Sequence, residues 1–206
     1  MRGSEVPRVR PALDRDDALV ARVALGEEPA FRELAQRWGA RVRDYVRHVS
    51  GDPAAADDLL QEVLVRLFRA APTRDPSQPF AVWLFCLARH VAVSHLRSRA
   101  ARGRLLQAVS AGSHALLARF QRGEAPAPLR MVADREFAAA FDAALRTLPE
   151  EFRSVFLLRQ REGLSYEEIA AVVGIPAKTV STRLVRARER LRRELAPFAD
   201  EPRSAP

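Results

Sequence analysis

The segment Leu164 to Leu191 constrains the fold more than any other part of the chain, because it combines a helix start, a helix stop and a second amphipathic helix. Ser165 is placed to cap the first helix, and Glu168, three residues later, can reach back to close a capping box. Gly174 favours a helix end in the left-handed region, and Pro176 suits the first turn of the next helix. The sequence therefore predicts a helix-turn-helix.

The second of these helices has an apolar face and a polar face. Helical spacing places Val180, Leu184, Ala187 and Leu191 on one buried face. The N-terminal part of a recognition helix usually contacts base edges and phosphates, and hydrogen-bonding side chains lie there in this helix. An ordinary helix with a solvated basic face is the alternative, but the cap, the turn and the glycine favour the DNA-binding motif. The candidate DNA contacts are Lys178, Thr179, Ser181, Thr182, Arg183 and Arg186.

The charge of the chain favours a polyanionic partner. Its 206 residues carry a formal net charge of +8, with a calculated pI near 11.0, and neutralising phosphates with cationic side chains releases bound counterions. Lys178 is the only lysine, a pattern that also reflects coding bias, so the count of arginines by itself is discounted. No apolar run approaches the ~20 residues of a membrane span and the N-terminus lacks a secretory signal, so we expect a cytoplasmic protein.

The residues that usually carry catalysis or bind metals do not form a recognisable site. Cys86 is the only cysteine, which excludes an internal disulfide. Cys86, His90 and His95 point in directions too different for three metal ligands on one helix. The chain also has no phosphate-cradling glycine loop and no nucleophile elbow. We therefore expect no enzymatic activity, no metal and no cofactor.

Periodicity predicts an all-α fold with two small helical domains joined by a flexible linker. The expected units are a disordered N-terminal segment 1–15, a helical domain 16–99, a linker 100–131, a helix-turn-helix domain 132–196 and a frayed tail 197–206. The helices of the first domain are expected from Asp16 to Leu25, Pro29 to Val49, Pro53 to Ala70 with Asp52 as the cap, and Phe80 to Arg99. The second domain is expected to start near Asp134 and to break at Pro149.

The third predicted helix carries an acidic, partly apolar face on a basic protein. Leu60, Val63, Leu64 and Leu67 are expected to form its buried stripe. The opposite face is typical of a site for a protein partner, although acids near a helix N-terminus also stabilise the helix dipole. The residues assigned to this outer face are Asp57, Asp58, Gln61, Glu62 and Val65.

The fourth predicted helix places an aromatic residue beside cationic ones. Trp83, His90 and Arg97 recur at heptad spacing, and Arg89 and Ser94 flank them. Such a surface suits a partly unpaired nucleic-acid strand, because bases stack on aromatic rings while arginine holds the backbone. The alternative for Trp83 is a place in the core, beside the expected buried residues Phe80, Leu84, Leu87, Ala88 and Val91.

The segments DDLLQEVLVRLFRA, FAVWLFCLARHVAVSHLRSRAAR and LPEEFRSVFLLRQREGLSYEEIAAVVGIPAKTVSTRLVRARERL resemble, in this order, the sigma-70 family of RNA polymerase factors in its extracytoplasmic-function group. The resemblance covers about residues 16–98 and 134–195. It implies a region 2 domain and a region 4 domain, a partner in core RNA polymerase, promoter DNA as the second partner, and promoter-directed transcription initiation. Such factors are often held by an anti-sigma protein.

The resemblance also implies roles for the candidate residues. Asp57, Asp58, Gln61, Glu62 and Val65 would dock the polymerase beta-prime coiled coil; Trp83, Arg89, His90, Ser94 and Arg97 would bind the minus-ten element; and the six residues of the second helix would bind the minus-thirty-five element. Family members commonly have Asn and Asp where this chain has His90 and Ser94, and Gly-Thr-Val where it has Lys178, Thr179 and Val180. A stand-alone helix-turn-helix regulator and a sigma mimic that binds an anti-sigma protein are the alternatives.

Overall fold

A computed structural model describes residues 11–110 and 132–198, and within these ranges all regular secondary structure is helical. This confirms the all-α prediction. The α-helices are α1 Pro11–Ala24, α2 Glu28–Ser50, α3 Ala56–Ala70, α4 Phe80–Ser110, α5 Val132–Thr147, α6 Glu150–Gln160, α7 Tyr166–Val173 and α8 Ala177–Glu194. The termini and the segment 111–131 lie outside the described residues.

Helix α2 is the centre of the first domain, because α1, α3 and α4 all pack against it. Its inward side contains Leu34, Trp38, Val42, Tyr45 and Val49, all buried as expected. The expected inward residue Phe31 is only partly buried, with its ring 5.7 Å from that of Phe68. Glycines in the left-handed region follow α1 and α2: Gly26 has a φ of 84° and Gly51 a φ of 65°. A left-handed residue reverses the chain, so the first three helices fold back on one another.

The start and the buried face of α3 differ from the prediction. The regular helix begins at Ala56, after a turn at Pro53, and Ala55 occupies the cap position that was predicted for Asp52. The Asp52 carboxylate lies 3.2 Å from His95 Nε2 of α4. The buried residues are Ala56, Leu59, Val63 and Leu67, whereas Leu60 and Leu64 are only half-buried. The stripe predicted from Leu60 and Leu64 was therefore wrong by one position, because Leu59 is four residues before Val63 and eight before Leu67.

Helix α4 is longer than predicted. It runs from Phe80 to Ser110, whereas the sequence pattern placed its end near Arg99 and the linker from residue 100. Phe80, Leu84, Ala88 and Val91 are buried as expected, but Leu87 is half-buried. At the other end of the chain, α1 begins at Pro11, inside the segment expected to be disordered. Regular helix thus extends into the predicted N-terminal disordered segment and into the predicted linker.

The second domain contains the predicted helix-turn-helix. The Glu168 amide donates to Ser165 Oγ at 3.1 Å, and Glu168 Oε2 accepts from the Ser165 amide at 2.7 Å, which completes the capping box. Gly174 follows α7 with a φ of 74°. Pro176 is the cap of α8 and not part of its first turn. The four predicted apolar residues of α8 are its buried residues: Val180, Leu184, Ala187 and Leu191.

The two domains pack against each other in this structure. Helix α7 lies on α4, and α5 and α6 lie on α2. One hydrophobic cluster runs through both domains, from Leu19 in α1 to Leu191 in α8. The sequence pattern predicted two domains joined by a flexible linker and gave no indication of this contact between them.

The central position of α2 makes one of its leucines a test of the fold. Leu34 is 1% exposed, so Leu34→Ala should lower the free energy of unfolding by about 2–5 kcal/mol through lost burial and a cavity. Leu25→Ala is the matched control, because Leu25 is 81% exposed, and it should change stability by less than about 0.5 kcal/mol. Urea denaturation measures both, and equal effects would contradict the described core.

Candidate protein and nucleic-acid interfaces

The outer face of α3 is exposed as predicted. Asp58, Gln61, Glu62 and Val65 are all exposed, and Val65 presents 47% of its surface. Glu62 is paired with Arg66 one turn later at 2.5 Å. Both partners are largely solvated, so this pair adds little stability and does not prevent Glu62 from meeting a partner.

Asp57 stands at the edge of this face. Its two carboxylate oxygens accept hydrogen bonds from Arg43 of α2 at 2.5 and 3.0 Å. The hydrogen bond to Arg43 holds the pKa of Asp57 below its ordinary value of 3.8. Asp57 therefore links α3 to α2, and like Glu62 it already has a cationic partner.

Sequence reasoning missed an aromatic residue on the same face. Phe68 is 47% exposed, and its ring meets Phe31 edge-on. It follows Gln61 by seven residues and Val65 by three, so helical spacing places all three on one side. The face is therefore a mixture of carboxylates with two exposed apolar side chains, and we call Asp58, Gln61, Glu62, Val65 and Phe68 the α3 face.

Three of the predicted minus-ten residues lie along one side of α4. His90 and Arg97 are exposed, whereas Trp83 is half-buried. The Trp83 ring is tilted against Phe80 at 5.9 Å between centroids, so it belongs to the edge of the core while part of it remains accessible. Ser94 is also half-buried. Trp83, His90 and Arg97 therefore share one side of α4, at intervals of about two turns.

Arg74 is a neighbour of Trp83 that sequence reasoning missed. Its guanidinium carbon lies 5.6 Å from the Trp83 ring centroid, and it donates at 2.5 Å both to Asp17 of α1 and to the Gln78 carbonyl. Its side chain is 4% exposed. Arg74 therefore anchors the loop before α4 against the tryptophan. No spacing rule indicates this, because the partners come from different elements.

Arg89 is not part of that surface. It points to the other side of α4, where its guanidinium lies 3.0 and 3.4 Å from the two carboxylate oxygens of Glu150 in α6. The Arg89 side chain is 22% exposed. In this arrangement it contributes to the contact between the domains, about 100° around the helix from His90.

The predicted contacts of α8 share an outward row. Lys178, Thr182 and Arg186 recur every four residues and are all exposed. Ser181 and Thr179 are half-buried, and Arg183 lies 3.2 Å from Glu151 of α6. Val185 is 50% exposed next to this row, a position suited to apolar contact with a thymine methyl group.

A polar cluster joins the two domains beside the apolar contact of α6 and α7 with α2 and α4. Arg41 pairs with Glu162 at 2.6 Å, and Tyr45 Oη lies 2.6 Å from Ser154 Oγ. Arg161 also pairs with Asp44. The hydrogen-bonded partners in this cluster are 94 to 121 residues apart in sequence, so no local pattern could have predicted them.

His48 lies in the middle of this cluster and is 4% exposed. Its Nδ1 is 2.7 Å from the Asp44 carbonyl oxygen, and its Nε2 is 3.1 Å from Asp142 of α5. Burial lowers the pKa of His48, but hydrogen bonds to Asp44 and Asp142 outweigh burial and hold the pKa above its ordinary value of 6.5. For Asp142, burial raises the pKa, but contacts with His48 and Arg47 outweigh it and leave it below 3.8.

Comparison with known proteins gives the class of this two-domain helical protein. The sigma-70 region 2 family matches residues 34–102, and the sigma-70 region 4 family matches residues 138–191. The chain is 30% identical over 194 residues to the RNA polymerase sigma-H factor of Pseudomonas aeruginosa, covering 91% of this chain and 97% of that one. It is 33% identical over 190 residues to the ECF RNA polymerase sigma-E factor of Escherichia coli K12, covering 89% and 95%.

Two solved structures are similar over most of the chain. The structure of CnrH in complex with the cytosolic domain of CnrY has a TM-score of 0.66 and 28% identity, covering 91% of this chain and all of that one. The sigma factor RpoE in complex with the anti-sigma factor NepR from Bartonella quintana has a TM-score of 0.60 and 26% identity, covering 82% and 97%.

The chain belongs to the sigma-70 family of RNA polymerase sigma factors, in its extracytoplasmic-function group. It is therefore a transcription initiation factor for core RNA polymerase and promoter DNA, and not an enzyme. Among the described residues, no helix is both long enough and apolar enough to cross a membrane.

The interdomain histidine predicts a pH dependence. Because the pKa of His48 is raised in the folded state, its contribution to stability is present below about pH 6.5 and is lost as pH rises through the folded-state pKa. Replacing it by His48→Gln should therefore lower the free energy of unfolding more at pH 6 than at pH 9. Urea denaturation at both values measures this. The exposed control His90→Gln should show no such difference, and a larger effect of His48→Gln at pH 9 would contradict the assignment.

Proposed function

We propose that the α3 face docks core RNA polymerase, that the exposed side of α4 captures the unpaired minus-ten strand, and that α8 reads the minus-thirty-five duplex. The observation that carries the proposal is that three surfaces are solvent-exposed at separate places on a packed helical core: the acidic and apolar α3 face, the side of α4 with His90 and Arg97, and the outward row of α8. We further propose that the chain acts in the cytoplasm, where polymerase and DNA are both present.

The chemistry of the α3 face supports docking to a protein and not to DNA. Asp58 and Glu62 would repel phosphates, whereas exposed Val65 and Phe68 provide apolar area that a partner can cover. Stable interfaces commonly have an apolar centre and a polar rim, and charge complementarity steers the partners together. By family resemblance, the partner is the beta-prime coiled coil.

The side of α4 that carries Trp83, His90 and Arg97 supports capture of a single strand. Arg97 can hold a phosphate while the accessible part of Trp83 and the His90 ring offer surfaces for stacking, worth roughly 1–3 kcal/mol per base. Capture of unpaired bases shifts the equilibrium toward the melted promoter without bond chemistry. Ser94 lies at the edge of this side, and the Arg74-anchored loop lies beside Trp83.

The predicted minus-ten role of Arg89 requires the domains to separate, because the packed arrangement pairs Arg89 with Glu150. We propose that Arg89 exchanges this carboxylate for a DNA phosphate when the domains open. Residues 111–131 could span at most about 3.3 Å each, on the order of 70 Å in total, which exceeds the ~34 Å of one DNA turn. Because α4 includes residues 100–110, we propose that only residues 111–131 of the predicted linker 100–131 connect the domains.

A second proposal concerns an anti-sigma partner. Two similar solved structures are complexes, one with an anti-sigma factor and one with a cytosolic protein domain, and this chain has the same fold over most of its length. We propose that an anti-sigma protein binds the packed arrangement and prevents the domains from opening. Copurification from cells without the inducing signal, compared with cells after induction, tests this partner.

Polymerase docking predicts a strong effect of charge reversal. Asp58→Arg with Glu62→Arg should weaken binding to core polymerase at least about a hundredfold, because like charges then meet at the interface. The control Glu136→Arg with Glu189→Arg makes the same charge change at exposed positions of the second domain and should leave binding nearly unchanged. Titration with fluorescent core polymerase measures both, and retained binding by the first variant would remove the docking assignment.

Reading of the minus-thirty-five element by α8 predicts a loss of discrimination. Arg186→Ala should reduce the preference for a mapped promoter duplex over one with a scrambled minus-thirty-five element by about 1–3 kcal/mol, if the guanidinium contacts a base edge. Arg32→Ala, at an exposed position of α2, is the control. Binding of the polymerase complex at two salt concentrations measures the preference. An equal loss on both duplexes would assign Arg186 to a phosphate.

Run-off transcription separates this function from that of a stand-alone regulator. The purified chain with core polymerase should start transcripts at a defined site, whereas a stand-alone regulator would not replace a sigma factor. A chain that binds an anti-sigma protein but starts no transcript with core polymerase on any mapped promoter would instead support the sigma mimic.

A further inference from the structure

An open cavity of about 420 Å³ that is lined by three arginines lies between α2 and α4 of the first domain and α5 and α6 of the second. Its first-domain wall is formed by the end of α2 at Ser50 and Gly51 and by Arg99 of α4. Its second-domain wall is formed by Arg146 of α5 and Arg153 of α6. The described residues that line it thus include three arginines and no carboxylate, although the chain has 26 acidic residues.

Arg153 is the least compensated of these cations. It is 6% exposed, and its Nε has no hydrogen-bond partner. Burial lowers the pKa of Arg153, and the nearby carboxylate of Glu150 opposes this only in part, because both Glu150 oxygens already contact Arg89. A buried cation without its own counterion is costly, so an anion in the cavity would relieve the cost.

Two of the arginines also have structural contacts. Arg153 Nη1 lies 3.5 Å from the Arg146 carbonyl oxygen at the end of α5, and Arg99 Nη1 donates to the Gly51 carbonyl at 3.2 Å. Such contacts satisfy helix C-termini. A guanidinium has five N–H donors, so one contact of this kind leaves others available to a ligand.

The balance of charge indicates what kind of anion fits. Asp52 is the carboxylate nearest to Arg99, at 3.5 Å, and it is shared with His95. The nearby carboxylates are thus Asp52 and Glu150, and Glu150 is shared with Arg89. Three guanidinium groups with two shared carboxylates favour an anion with more than one negative charge. Guanidinium forks match phosphate oxygens in pairs, and a cavity of this size lies within the range of small-molecule sites.

We propose that this cavity binds an anion bearing a diphosphate group, held by Arg99 from the first domain and by Arg146 and Arg153 from the second. Because the ligand contacts both domains, its binding free energy stabilises the packed arrangement over the separated one. The binding step is independent of the promoter and polymerase assignments made above.

The test is calorimetric titration of the full chain with inorganic diphosphate, with sulfate at equal ionic strength as the reference ion. Arg99→Gln with Arg146→Gln should weaken diphosphate binding at least about tenfold, because two charge-assisted hydrogen-bonding groups are lost. Arg32→Gln with Arg192→Gln removes the same charge from exposed positions, one in each domain, and should change the affinity less than about twofold. Diphosphate should also raise the thermal unfolding midpoint of the wild type and not that of the cavity variant.

Three results would overturn the proposal. One is binding of diphosphate no tighter than that of sulfate. Another is equal weakening in the cavity variant and the surface variant, which would indicate general attraction to a basic chain. The third is a loss of duplex DNA affinity in the cavity variant as large as its loss of diphosphate affinity, which would assign these arginines to the DNA surface. Unfolding curves measured without ligand are the control that both variants remain folded.

Discussion

The packing of α6 and α7 against α2 and α4 is the contact on which the arrangement of the whole molecule depends. Apolar residues of both domains join in one cluster, and burial of apolar surface is the main favourable term. The polar cluster beside it adds register more than stability, because each buried ion pair has to offset the loss of hydration. Tyr45 adds an uncharged contact to this cluster: it is buried, its hydroxyl contacts Ser154 across the interface, and burial raises the pKa of that hydroxyl.

This contact separates the binding surfaces into two groups. The α3 face and the outward row of α8 are exposed while the domains are packed, so they are available to partners at once. Arg89 is instead held by Glu150, and α7, the first helix of the DNA-binding motif, lies on α4. Under the role proposed for Arg89, packing and promoter binding would compete for this residue. Any ligand that touches both domains shifts that competition toward the packed state.

Most helices could be predicted from the sequence because their signals are local. The capping box of Ser165 and Glu168, the left-handed Gly174 and the four-residue spacing in α8 all act within one or two turns. The prediction was wrong where a choice between neighbouring leucines depends on the direction of the core, as at Leu59 and Leu60. It was also wrong about the end of α4, which was expected near Arg99 but lies at Ser110, beyond Gly103. Glycine in a helix lowers stability without necessarily ending the helix.

The sequence by itself determined the helical class, the helix-turn-helix and the identity of the exposed rows, since these follow from interactions between residues three and four apart. It also carried the family resemblance that assigned the partners. Only the tertiary structure decided that Arg89 meets Glu150, that His48 meets Asp142, and that Arg99 and Arg153 line one cavity. These partners are separated by dozens of residues along the chain, and helical periodicity specifies which way a side chain points without specifying which distant element it meets.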